Sequence, residues 1–258
     1  MAAMSLHDVA QEGFDKEAET YERVRPSYPA DAVAWLAGNL EIRPGRTVLD
    51  VAAGTGKLTR LLVPFGATLF AAEPVEGMRR SFVTAVPGVS ILAAIAEALP
   101  IAVGSLDAIT VAQAFHWFEA DLAFDEFARV LRPGGRVGII WNARDRSSDW
   151  VNELWSIMDR VEKRAPWRDH EHWRDSALGE RPGFGPIHAA TFRHEQSITA
   201  EGVVERFASV SHVAVLSPAT RQGVLDEVRA VLTDHPQTRG RTEVRIPYRV
   251  DAYWCERR

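Results

Sequence analysis

The sequence predicts an α/β protein built on a doubly wound, mostly parallel sheet of seven strands. Through the first 141 residues, short apolar and β-branched runs alternate with segments of helical spacing, which is typical of βαβ units. A glycine-containing turn follows the first strand, as it does at the ligand-binding edge of open α/β sheets. Two further strand-like stretches, 187–198 and 244–254, raise the predicted number of strands from five to seven.

The first five βα units are predicted from local pattern. The helices, which have apolar residues at helical spacing, are expected at 31–40, 57–65, 75–86 and 121–131. Pro29 precedes the first helix, and Gly66 ends the second. The strands, which are short apolar runs between turn residues, are expected at 46–51, 68–73, 89–93, 107–113 and 136–141. Arg132–Gly135 is predicted to form a turn before the fifth strand.

The residues after 143 have a different pattern, with helical segments at 200–209 and 218–233 between the last two strands. We expect a single domain over 1–258, because no Pro-, Gly- or Ser-rich linker divides the chain, and a separate second domain is the weaker alternative. Its predicted parts are a core, an N-terminal lid and two insertions over the carboxyl edge of the sheet. The core covers 30–143 and 186–258, the lid covers 1–29, and the insertions cover 144–185 and 199–240.

Composition excludes several classes of protein. The chain has 258 residues, 46% of them hydrophobic, and no apolar run approaches the roughly 18 residues that cross a bilayer. Cys255 is the single cysteine, and the histidines lack ligand spacing, so we expect no disulfide and no metal. A net charge of −5 and a pI near 5.9 argue against a nucleic-acid partner. The polar N-terminus is not a signal peptide, so we expect a cytoplasmic protein.

The segment VLDVAAGTGKLTR at 48–60 predicts a nucleoside site. Gly54 and Gly56 allow a sharp turn and close backbone approach to a ligand. Glu73 ends the next strand 19 residues after Gly54, the spacing at which an acid binds a ribose diol. Thr59 stands where the NAD fingerprint has its third glycine, and Asp50 suits an ammonium group better than a pyrophosphate. An amino-acid-bearing nucleoside satisfies both observations.

These segments resemble the class I S-adenosylmethionine-dependent methyltransferases. The resemblance lies in VLDVAAGTGKLTR, AAEPVEGM at 71–78, AEALP at 96–100 and RVLRPGGRV at 129–137. More narrowly, VAQAFHWF at 111–118 and WNARD at 141–145 resemble a small-molecule branch, methyltransferase type 11, that includes trans-aconitate methyltransferases. The resemblance implies a Rossmann-like fold, S-adenosylmethionine as cofactor and methyl transfer to a small-molecule acceptor carrying a hydroxyl, phenol, amine or carboxylate.

The resemblance also implies which residues bind the cofactor. They are Tyr21, Arg25, Asp50, Ala52, Gly54, Gly56, Glu73, Met78, Ala96 and Gln113. Ala52 departs from the glycine that often begins this loop in the family. Ile95 departs from an aspartate that bonds the adenine amino group, so adenine recognition is expected at the backbone near Ala96 or at Glu97.

Two interpretations of the acceptor stay open. The expected substrate residues are Tyr28, His116, Trp117 and Arg144. If the acceptor nucleophile carries a proton, His116 is the candidate base, since its ordinary pKa near 6.5 suits proton transfer. If the acceptor is a carboxylate, no base is needed, and Arg25, Arg144 or Arg146 would bind it.

Three other classes of protein are alternatives to this function. Thr59 disfavours an NAD-type oxidoreductase, and QAFH at 113–116 lacks the Asp/Asn-Pro-Pro-aromatic pattern of enzymes that methylate exocyclic base amines. A cofactor-binding protein without activity stays open. The expected partner is a small-molecule substrate, with no nucleic acid and no membrane, and the chain is expected to be a monomer or homodimer.

Overall fold

The computed structural model describes residues 22–162, 179 and 181–258. Seven strands form one sheet in the order β3-β2-β1-β4-β5-β7-β6, mostly parallel with one antiparallel hairpin. The strands are β1 (Thr47–Val51), β2 (Thr68–Ala72), β3 (Ser90–Leu92), β4 (Leu106–Ala112), β5 (Leu131–Arg144), β6 (His188–Thr199) and β7 (Glu243–Glu256). The expected number of strands is therefore confirmed.

Eight α-helices connect or follow these strands within the described residues. They are α1 (Ala30–Asn39), α2 (Thr59–Leu62), α3 (Glu76–Ala85), α4 (Ala120–Val130), α5 (Asp149–Glu162), α6 (Ala200–Ala208), α7 (Ser211–Ala214) and α8 (Pro218–Asp234). Short 3₁₀ helices span Val63–Phe65 and Phe115–Trp117. None of the helices in this part of the chain is both long and apolar enough to span a membrane.

Strand register brings the carboxyl ends of the central strands to one edge. Val51 at the end of β1 lies opposite Ala72 of β2 and Val111 of β4. Ala112 of β4 lies opposite Ile140 of β5. Because parallel strands end at the same edge, the residues that follow β1, β2, β4 and β5 are brought together there.

Alternating side chains of β1 pack into two different apolar clusters. Leu49 and Val51 belong to a cluster with Phe127 of α4. Val48 belongs to a second cluster with Leu36 of α1. This alternation is the two-residue period of a strand that is buried on both faces, and it holds β1 in a single register.

The chain divides into two compact units, which we name the sheet unit and the helical unit. The sheet unit comprises Ser27–Asn142, Asp169–Phe192 and Val250–Arg258, and the helical unit comprises Met1–Pro26, Ala143–Arg168 and Arg193–Arg249. The helical unit has an apolar cluster of its own, which includes Leu154, Val203, Phe207 and Tyr248. Of the predicted insertions, 144–162 and 199–240 lie in the helical unit together with parts of β6 and β7, whereas 181–185 belong to the sheet unit. The single-domain organisation stays a prediction.

One local prediction is confirmed in part and one is wrong. The predicted helix 57–65 is α-helical only over Thr59–Leu62 and continues as a 3₁₀ helix, because Pro64 lacks the N–H that an α-helix needs. The segment predicted as a turn, Arg132–Gly135, lies within β5, which pairs with β4 at Leu131 and again from Arg136 onward. The register shift between Leu106 and Ala108 leaves this segment as an irregularity between the two pairings.

Candidate active site

The loop after β1 exposes its backbone through three left-handed residues. Ala52, Gly54 and Gly56 have φ values of 52°, 58° and 85°. A Cβ on Gly56 would lie 2.4 Å from Cγ2 of Val86 and 2.8 Å from Cδ2 of Phe82, so glycine allows the loop to pack against α3 and the residue after it. A Cβ on Gly54 would meet nothing within 4 Å. The backbone at Gly54 therefore borders open space that a ligand can enter.

Asp50 fixes the base of this loop from inside the sheet. It is 1% exposed. Its Oδ2 accepts a hydrogen bond of 2.5 Å from the Thr59 hydroxyl, and its Oδ1 accepts one of 2.8 Å from the Thr110 hydroxyl. Burial raises the pKa of Asp50 to about 6, more than these hydrogen bonds lower it. The carboxylate joins β1, the start of α2 and β4, while its predicted role toward an ammonium group stays a prediction.

Glu73 connects the glycine loop to the turn after β2. It is 5% exposed, with Oε2 accepting from the Gly54 backbone N–H and Oε1 from that of Val75, both at 2.9 Å. Burial raises the pKa of this carboxyl, although both backbone bonds oppose that shift. The sequence placed Glu73 and Gly54 at one ligand, and the structure brings them into direct contact. Each carboxylate oxygen has a second lone pair for a ligand hydroxyl.

The segment predicted to border adenine forms a tight turn after β3. Ala96 is 3% exposed, inside a turn closed by a bridge between Ile95 and Ala98. Glu97 uses its Oε1 to accept from the backbone N–H of Glu119 at 2.8 Å, and its Oε2 is buried without a partner among the described residues. Met78 on α3 is also buried.

At the ends of β4 and β5, two amide side chains lie together. Gln113 has a left-handed φ of 59°, and its Nε2 donates to the Asn142 carbonyl oxygen at 3.4 Å. Asn142 is 9% exposed and donates through Nδ2 to the Ser27 carbonyl at 3.1 Å. Its Oδ1 has no hydrogen-bond partner within the described part of the chain. Sequence reasoning gave Asn142 no role, although WNARD contains it.

His116 lies between two indole rings. It belongs to the 3₁₀ helix that follows β4, with its ring 4.7 Å from that of Trp117 and 5.0 Å from that of Trp141. Trp141 was also missed from the sequence, because its place beside His116 depends on the pairing of β4 with β5. The predicted substrate residue Tyr28 is buried in the same unit, in the apolar cluster that contains Leu36.

The predicted arginines belong to the helical unit. Arg25 donates to the Ser209 carbonyl at 3.1 Å. Arg144 pairs with Asp159 at 3.1 Å, and Arg146 bonds the same carboxylate at 2.6 Å. Tyr21 lies outside the described residues. The roles of all of these residues toward a ligand stay predictions. In the part of the chain that the structure describes, no three His, Cys, Asp or Glu residues are grouped to hold a metal ion.

Comparison with known proteins decides the family. Residues 49–139 match a family model described as a methyltransferase domain, so the match includes the glycine loop, Glu73 and His116. An uncharacterised methyltransferase of Mycobacterium tuberculosis is 37% identical over 236 residues, which is 91% of each chain. The chain belongs to the methyltransferase family. It is therefore an enzyme that transfers methyl groups.

Solved structures agree with this assignment. One is described as a type II methyltransferase of Anaeromyxobacter dehalogenans. It matches this chain with a TM-score of 0.62 and 25% identity, and the match covers 90% of this chain and 96% of that one. A phosphoethanolamine N-methyltransferase of Haemonchus contortus, solved with S-adenosyl-L-methionine, has a TM-score of 0.58 and 16% identity. The match covers 100% of this chain and 60% of that one. At 16% identity this likeness shows the Rossmann-like fold alone.

Proposed function

We propose that the methyltransferase, whose cofactor is S-adenosylmethionine, methylates a small-molecule acceptor at the carboxyl edge of the sheet. The contact between Glu73 and the Gly54 backbone carries the proposal, because it joins a buried acid to a loop that faces open space. The narrower likeness to the branch that includes trans-aconitate methyltransferases supports the small-molecule acceptor. A doubly wound sheet, a cytoplasmic location and a monomer or homodimer belong to the same proposal, as does the absence of nucleic-acid and membrane partners.

The residues of this edge fit S-adenosylmethionine. The loop at Gly54 and Gly56 would hold the methionine part, since its backbone can approach a ligand without a Cβ in the way. Glu73 would accept hydrogen bonds from the ribose hydroxyls, and the turn at Ala96 would border the adenine. When bound, this cofactor supplies an electrophilic methyl carbon on a sulfonium.

The chain's own contribution to the chemistry is alignment and proton removal. Methyl transfer is an in-line displacement, so holding acceptor and donor at the correct distance supplies most of the rate enhancement. His116, which follows β4, would take a proton from a hydroxyl, phenol or amine acceptor. The rings of Trp117 and Trp141 flank the imidazole and would exclude water from it.

Calorimetric titration with S-adenosylmethionine and S-adenosylhomocysteine tests this function through two matched variants. Gly54→Asn places a side chain in the open space beside the loop, and we expect it to abolish binding. Gly104→Asn is the control, because Gly104 has a φ of 60° against 58° for Gly54 and also has nothing within 4 Å of its Cβ position. Asparagine tolerates a left-handed backbone, so strain is equal in both variants.

We expect Gly104→Asn to bind each of the two compounds with the affinity of the wild-type protein. A wild-type protein that binds neither compound would refute the proposal, as would equal binding by Gly54→Asn. A screen of small acceptors, monitored by formation of S-adenosylhomocysteine, then separates an enzyme from a cofactor-binding protein.

A further inference from the structure

Arg206 is a guanidinium enclosed by aromatic rings inside the helical unit. It lies on α6 and is 6% exposed. Its guanidinium carbon lies 5.4 Å from the centroid of the Trp155 ring and 5.8 Å from that of Tyr248. Its Nε donates to the Tyr248 hydroxyl at 2.9 Å. The side chain is therefore fixed in place, with most of its surface removed from water.

This cation has no anionic partner among the residues that the structure describes. Nη1 is buried and has no hydrogen-bond acceptor there. Acids of the same unit are paired with other arginines: Glu205 bonds Arg23, and Asp159 bonds Arg144. Burying a charge without a counter-charge is strongly unfavourable, and contacts to ring faces offset this only partly because they leave the in-plane N–H groups unused.

A second donor of the same cluster is also unused. Trp155 is 3% exposed, and its Nε1 has no acceptor within the described residues. Its ring stacks on Phe207 with centroids 5.3 Å apart, which fixes the direction of this N–H. Two buried N–H donors, one of them on a cation, provide the charge and hydrogen bonds that the two oxygens of a carboxylate accept.

Other polar atoms of the cluster keep the guanidinium in this orientation. Tyr248 donates its hydroxyl proton to Oε1 of Gln196 at 3.3 Å, so its oxygen is free to accept from Arg206. Gln196 in turn donates to the Val24 carbonyl at 2.8 Å. In this chain of hydrogen bonds the Nε of Arg206 is already paired, whereas its Nη1 can donate to a ligand.

We propose that Arg206 and Trp155 form a binding site for the carboxylate of a small organic acid within the helical unit. A carboxylate is favoured over a phosphate, because a tetrahedral dianion requires more donors than these two groups supply. The site is independent of the proposed methyl transfer, and binding alone tests it.

Thermal unfolding with acetate, succinate or benzoate, each compared with chloride at equal ionic strength, measures this binding. We expect at least one carboxylate to raise the Tm of the wild-type protein by about 4 °C at ten times its Kd. Arg206→Met should remove the shift while leaving the Tm without carboxylate unchanged or higher, since an apolar side chain relieves the unpaired charge. Arg160→Met is the control, because Arg160 is exposed and pairs with Glu227, and it should retain the full shift.

Trp155→Phe keeps an aromatic ring and removes only the N–H, and we expect it to weaken carboxylate binding about tenfold in a calorimetric titration. If Arg206→Met does not fold, this variant decides the question. Three outcomes overturn the proposal: no shift of the wild-type Tm with any carboxylate, an equal shift in Arg206→Met, or unchanged affinity in Trp155→Phe. A shift with inorganic phosphate alone would overturn the assignment to a carboxylate.

Discussion

Replacing Glu73 by alanine should weaken both the fold and cofactor binding. In the native protein its carboxylate accepts the backbone N–H groups of Gly54 and Val75 at 2.9 Å each. Alanine leaves both donors without an acceptor in a site that is 5% exposed. An unsatisfied buried N–H costs about 1–3 kcal/mol. Because burial raises the pKa of Glu73, removing its charge returns part of that cost. We therefore expect a net loss of about 2–3 kcal/mol in the free energy of unfolding.

The cofactor loses its ribose acceptor in the same variant. A hydrogen bond to a charged group contributes about 1.5–3 kcal/mol, which corresponds to a rise of about 10- to 150-fold in the Kd for S-adenosylmethionine. The free energy of unfolding and the Kd of Glu73→Gln should lie between those of the wild type and Glu73→Ala. Its carbonyl oxygen keeps one backbone hydrogen bond, while its amide group faces the other N–H.

Urea denaturation measures the stability change, and calorimetric titration below the Tm of each variant measures the Kd. Glu76→Ala is the control, since Glu76 is an exposed neighbour that pairs with Arg80 across one helical turn. We expect it to change stability by less than about 0.5 kcal/mol and to leave the Kd unchanged. A folded Glu73→Ala protein with wild-type affinity would refute the assignment of Glu73 to the ribose.

Three further outcomes are expected. Ala52→Gly should raise the free energy of unfolding by about 0.5–1 kcal/mol, because it relieves a left-handed alanine, whereas Ala53→Gly should lower it in the same urea titration. Asp50 has a pKa of about 6 when folded, against 3.8 in a model peptide, so its ionisation lowers stability as pH rises between these values. The Asp50→Asn variant lacks this loss, so its stability relative to wild type should increase by about 2–2.5 kcal/mol from pH 4 to pH 7. A constant difference would contradict the raised pKa. His116→Ala should lower kcat by about 10²–10⁴-fold on an acceptor with a protonated nucleophile and leave the Kd for S-adenosylmethionine unchanged; a near wild-type kcat would leave His116 as a lining residue.

Local pattern predicted most of the sheet because its strands are buried apolar runs. The first strand, expected at 46–51, forms over Thr47–Val51. The fifth strand could not be delimited in this way, since Pro133, Gly134 and Gly135 are turn residues by composition. In the structure Gly134 has a φ of 76°, which allows an irregular segment within β5 between its pairings with β4 at Leu131 and Arg136.

Spacing along the chain predicted that Gly54 and Glu73 serve one ligand, because they follow neighbouring strands of one βαβ unit, whereas their direct hydrogen bond is seen only in the structure. It could not predict Trp141 or Asn142, whose positions depend on the pairing of β4 with β5. It could not predict Arg206 either. An arginine on an amphipathic helix is usually exposed, and only the packed structure shows that this one is enclosed.

Backbone strain gives independent support to the assignment of the carboxyl edge. Within the described residues, three that are not glycine have positive φ: Glu41, Ala52 and Gln113. Glu41 follows the end of α1, where left-handed residues commonly terminate helices. Ala52 and Gln113 instead follow β1 and β4, whose ends are paired in register. Each costs about 1–2 kcal/mol relative to a relaxed backbone. Strain retained at two adjacent strand ends is therefore expected where backbone geometry serves a ligand.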